Sequence, residues 1–165
     1  MQVRQLERQL PEEFGHGGVG RSVVSLKAVH YNNAVLLQVR LDGEMDSTYE
    51  VSSVGLKSSV GRPLALNNTG AVGGDGSDDE EEAMDYLADY KVVTRLGDSD
   101  DPKMNIVCTQ IAELYYKLIG ADNITATTVV ISLSRKLWKG HDSNDRDFAV
   151  LVFLLQCIKD MYVSQ

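Results

Sequence analysis

The segment Asp145–Tyr162 (DRDFAVLVFLLQCIKDMY) limits the possible folds more than any other part of this chain. At helical spacing it carries two apolar stripes. Phe148, Leu151, Val152, Leu155 and Ile158 make one, and Val150, Phe153, Leu154, Cys157 and Met161 make the other. A helix that is apolar nearly all round must be covered on both sides. In a chain of 165 residues one side can meet a sheet and a second helix. The other side calls for a covering insertion or a partner subunit, and the expectation is a partner at Val150, Phe153, Leu154 and Met161.

Several strands could supply that sheet. Ser22–His30 and Ala34–Leu41 flank the turn signal Tyr31-Asn32-Asn33, which predicts a hairpin. Asp42-Gly43 marks a second turn, after which Thr48–Val54 returns as a strand. Lys91–Leu96 and the β-branched Thr127–Leu133 complete the set. Asp101 is a suitable cap and Pro102 a suitable first residue for a helix whose apolar stripe runs Met104, Val107, Cys108, Ile111, Leu114, Tyr115, Leu118 and ends at Gly120. The expected class is α+β, an antiparallel sheet of about six strands packed by two main helices, in a single domain over residues 1–165. Residues 1–20 read as a mobile or partly helical lead-in ending in a glycine-rich stretch.

Charge is unevenly placed. The net charge is −8, and eight acids between Asp75 and Asp89, with no Lys or Arg among them, account for all of it. The surrounding stretch, about 67–90, is Gly-, Asn- and acid-rich and has too little apolar surface to offset the entropy of ordering. It reads as a disordered insertion within the domain. The rest of the chain is balanced, with no basic stripe for phosphate, which argues against nucleic acid as a partner. No apolar run reaches the length of about 18 residues that a membrane helix needs, so a membrane partner is not expected. The first residues lack the apolar core of a signal peptide.

The loop SRKLWKGHDSND before the last helix crowds Arg135, Lys136, Leu137, Trp138, Lys139, His141 and Asp142 together. Ser134, His141 and Asp142 could be written as a nucleophilic triad. However, a run of loop separates them and no strained nucleophile turn is present, so catalysis is not expected here. Trp, Arg and Lys are the residue types that anchor interfaces. Leu137, Trp138, Lys139, His141 and Asp142 are therefore candidate partner contacts. Cys108 and Cys157 fall inside apolar helical stripes, which predicts inert core thiols in an intracellular protein.

Other signals are weaker. Gly15-His16-Gly17-Gly18-Val19-Gly20 matches a dinucleotide-binding spacing, but a polar segment precedes it and a strand follows, the reverse of what a pyrophosphate site needs. The acidic runs at Asp75 and Asp98 lack the glycine and terminal glutamate of a calcium loop. His16, His30 and His141 have no ligand neighbours at metal-binding spacing. No cofactor and no metal are expected.

Three segments carry a resemblance: Val93–Asp98 (VTRLGD), Val129–Ser134 (VVISLS) and Asp142–Val152 (DSNDRDFAVLV). With the strand and helix order around them, the chain resembles the proteasome assembly chaperone 4 family. That resemblance implies a non-enzymatic chaperone, paired with a proteasome assembly chaperone 3-like subunit. The pair would bind proteasome α-subunits early in assembly of the 20S α-ring and leave before the particle matures. It also implies the cytoplasm, with the nucleus as a second compartment, and a heterodimer, with self-pairing as the option for an isolated chain. The acidic insertion departs from the compact members of the family. The alternatives are a small dimeric adaptor in trafficking or signalling, and a small-molecule-binding enzyme using the Gly15–Gly20 loop.

Overall fold

A computed structural model describes residues 1–15, 20–53, 90–119, 128–139 and 144–163. The strands are β1 (Gln2–Gln9), β2 (Val23–His30), β3 (Ala34–Leu41), β4 (Ser47–Ser53), β5 (Tyr90–Leu96) and β6 (Thr128–Leu133). The helices are α1 (Pro102–Leu114), which continues as a π-helical turn Tyr115–Ile119, and α2 (Asn144–Val163). The strands form one sheet in the order β1-β2-β3-β6-β4-β5. Every neighbouring pair is antiparallel except β3 and β6, which run parallel. The fold is therefore α+β, with a mixed, mostly antiparallel sheet of six strands.

The β2–β3 hairpin forms where the turn signal stands, closed by Tyr31 N–H donating to the Ala34 carbonyl at 2.8 Å. The second turn behaves differently. Asp42 and Gly43 both take positive φ, 51° and 84°, as a tight two-residue hairpin turn requires. Pairing ends after a single bridge between Leu41 and Glu44. β6 then takes the place between β3 and β4, with Asp46 N–H already donating to the Leu133 carbonyl at 3.1 Å. The physical reason lies in the apolar run Val129–Val130–Ile131. It gains most from a central position with a neighbour on each side, and it displaces the hairpin that chain order suggests.

The N-terminus departs from the lead-in expected over residues 1–20. Gln2–Gln9 is the edge strand β1, in register with β2 from Gln2↔His30 to Gln9↔Val23. Its sequence, QVRQLERQ, looks polar because only one of its faces is packed by a described helix. On that face the Arg4 guanidinium lies over the Tyr162 ring, 5.6 Å from its centroid, and Arg8 forms an ion pair with Asp160 at 2.9 Å. Charged residues along an edge strand also discourage unwanted strand addition.

Both helices lie on the same face of the sheet, α1 over β4 and β5 and α2 over β1. The α1 cap is as the sequence predicts: the Asp101 carboxylate accepts from Lys103 N–H at 3.0 Å and Met104 N–H at 3.3 Å, with Pro102 first in the helix. One glycine is fixed by a close approach. Gly97 has φ +110°, and a Cβ there would stand 2.7 Å from Ser47 Oγ. The core between sheet and helices is one cluster in which Val24, Leu26, Leu37, Val39, Tyr49, Ile131 and Leu133 meet Met104, Ile111, Leu154 and Ile158. The expected acidic insertion about 67–90, the strand pieces near Leu56 and Leu64, and Gly120 lie outside the described residues, as does the Leu118 side chain.

Candidate partner-binding surfaces

Most of the predicted contact residues turn inward. Leu137 and Trp138 sit in a 3-10 turn, Arg135–Trp138, and are buried in the core. The turn is pinned to the start of β4, where Arg135 N–H donates to Asp46 Oδ1 at 3.0 Å and Lys136 pairs with Glu44. Trp138 thus fastens the β6–α2 connection and is not offered to a partner. Lys139 is exposed; His141 and Asp142 lie outside the described residues.

The α2 residues need a similar correction. Val150, Leu154 and Met161, expected to face a partner, are buried within the chain together with Leu151, Cys157 and Ile158. These six span an arc of about 120° at 100° per residue, so the helix has one broad inward face drawn from both predicted stripes. One cover is enough for it. Phe153 is half-buried against Phe14, with ring centroids 6.0 Å apart. What stays outside is Phe148, 67% exposed, and Val152, 48% exposed, with Ile106 of α1 at 49%.

The groups considered for chemistry are held inert or engaged. Burial pushes the Cys108 thiol up to about 12 and raises that of Cys157, so neither offers a thiolate near neutral pH. Ser134 is buried, while the His141 and Asp142 it would need lie outside the described residues. His30 closes a buried chain in which its Nε2 lies 2.6 Å from the Tyr162 hydroxyl, which donates to the Tyr115 hydroxyl at 3.2 Å. Burial, and next the nearby Arg4 charge, hold the His30 imidazole below its ordinary value. Among the described residues no three His, Cys, Asp or Glu side chains come together as metal ligands. Of the Gly15–Gly20 loop, residues 16–19 lie outside the description.

The largest surface that the sequence reading missed is the far side of the sheet. No described helix packs there. Register alone assembles an apolar row across it: Val3 of β1 opposite Val29 of β2, then Leu36 of β3, Val130 of β6 and, beyond Glu50 of β4, Val93 of β5. At strand spacing the row is about 24 Å long. Val29 is buried but belongs to no part of the helix-side core, which places it on this face. Next to the row, Gln5, Glu7, Ser25, Lys27, Gln38 and Arg40 line a shallow concavity of about 450 Å³. The available signal was the unbroken apolar pairs Ala28–Val29, Leu36–Leu37 and Val129–Val130, where a sheet with one wet face should alternate.

Residues 1–159 match the family described as 20S proteasome chaperone assembly proteins 3 and 4. The chain is similar to Proteasome chaperone 3 of Saccharomyces cerevisiae, 52% identical over 153 residues that cover 84% of each sequence. Among solved structures it is similar to a chain of "Crystal Structure of a Novel Chaperone Complex for Yeast 20S Proteasome Assembly". There the TM-score is 0.67 and the identity 43%, over 98% of this chain and 99% of that one. The resemblance seen in the three sequence segments thus holds at the level of the joint family, and the curated relative bears the number 3. The chain belongs to the family of 20S proteasome chaperone assembly proteins 3 and 4.

Proposed function

We propose that this chain works as one half of a chaperone pair in 20S proteasome assembly, with the uncovered sheet face as its pairing surface. The pair would bind α-type subunits early in α-ring formation, masking a subunit face by shape complementarity and leaving before the particle matures. One observation carries the reading: a six-stranded sheet has both described helices on one face and an apolar row across the other. Six strands of about seven residues offer about 650 Å² at strand spacing, close to the ~800 Å² per partner of a stable interface. The similar yeast structure is itself a chaperone complex, which supports a partner of the same family. Two buried free thiols suit a reducing compartment, in keeping with the cytoplasm and nucleus.

The test is affinity purification of the tagged full chain from its own cells, with bound proteins identified by mass spectrometry. Leu36→Gln combined with Val130→Gln should remove the family partner while circular dichroism and the unfolding midpoint stay near the unmodified chain. Undiminished recovery of the partner with that variant would sink the sheet-face reading. Recovery of a trafficking or signalling protein, without proteasome α-subunits, would favour the adaptor alternative.

A further inference from the structure

Among the described residues, the sheet face that neither described helix packs on is charged in the opposite sense to the chain as a whole. The chain is −8 overall. The face carries four cations, Lys27, Arg40, Lys91 and Arg95, against two carboxylates, Glu7 and Glu50, and Glu50 is already taken by Arg95 at 2.7 Å. Lys27 and Arg40 stand on the neighbouring strands β2 and β3 and line the concavity beside the apolar row. Neither has a carboxylate at ion-pair distance among the described residues, and Arg40 instead donates to Gln38 Oε1 at 3.1 Å. A partner sheet laid over the row would close this concavity and take both cations out of water.

We infer that the surface meeting this face belongs to a related chaperone that presents carboxylates opposite Lys27 and Arg40, and that these two cations turn the face away from a second copy of this chain. The inference rests on the proposed sheet-face pairing and adds its selectivity. In a two-fold dimer of identical chains each face meets itself, so a net positive patch would meet a net positive patch. Like charges brought together at an interface disfavour that pairing, while opposite charges fix register and speed encounter. The apolar row supplies adhesion to any sheet of the same shape, and the cations choose among such sheets.

The experiment uses the full chain with three changes. The first is Lys27→Glu with Arg40→Glu, the second is Lys27→Gln with Arg40→Gln, and the third is the neutral row variant Leu36→Gln with Val130→Gln. Co-purification of the family partner is quantified by mass spectrometry, and self-association of each purified chain by sedimentation equilibrium. The glutamate variant should lose partner recovery by at least about tenfold. The glutamine variant should self-associate more tightly than the unmodified chain. An equimolar mixture of unmodified and glutamate chains should dimerise more tightly than either alone, and the row variant should abolish that dimer. Partner recovery unchanged in the glutamate variant but lost in the row variant overturns the charge selection and leaves the pairing face standing. Recovery unchanged in both overturns both. A mixture no tighter than its components also overturns the charge selection.

Discussion

His30 shows how a single side chain couples folding to pH. Its ring lies edge-on to Tyr162, with centroids 5.6 Å apart, tilted against Tyr115, and within the influence of Arg4. Burial first, and Arg4 second, disfavour the imidazolium in the folded chain. The unfolded chain takes up a proton near the ordinary value of 6.5 that the folded chain resists. Stability is therefore full above that value and is lost as pH falls toward and through the lower folded value. Guanidinium unfolding midpoints at about pH 7.5 and about pH 5.5 should show a drop for the unmodified chain and a smaller one for His30→Gln, since the window lies above the carboxylates. An equal drop in both would assign the pH dependence elsewhere.

At the scale of elements, the last helix and the turn before it are core, and their variants should act on stability. Leu154→Ala empties a fully buried position and should cost about 3 kcal/mol; Trp138→Ala should cost about as much and loosen the β6–α2 connection. Denaturant titration measures both losses, and partner recovery per folded molecule should not change. The α2 residues were legible as apolar and helical, and Trp138 as a loop residue, but none of them as inward-facing. Spacing alone divided them into two stripes centred on different sides, whereas the sheet selects one arc between them. β1 was illegible for the complementary reason. An edge strand with one wet face and Arg4 and Arg8 laid along a helix reads as a polar tail until its neighbours are known.

The described residues form an asymmetric two-layer body, with both helices on one face of the sheet and an apolar row across the other, and the chain belongs to a family of 20S proteasome assembly chaperones. A chaperone that leaves before maturation should appear only on early species. Tagged full chain fractionated by native gel should therefore co-migrate with α-type subunits in small assembly intermediates and be absent from finished 20S particles. Its presence at equal stoichiometry on finished particles would contradict transient action. Pairing selected by charge should also form more slowly as salt rises, whereas pairing by the apolar row alone should not.

The sequence by itself determined the local pieces: the β2–β3 hairpin from its turn and alternation, the α1 start from Asp101 and Pro102, the β-branched β6, the core thiols and the α+β class. Period, caps and turn chemistry act within a few residues, so they can be read from a line of residues. Only the tertiary structure decided that β6 separates β3 from β4, that α2 needs one cover, and that Val3, Val29, Leu36, Val130 and Val93 share a row. Those five come from five strands spread along the chain, and only strand order and register bring them together. The open face, where the partner is proposed to sit, belongs to the sheet and to none of its strands alone.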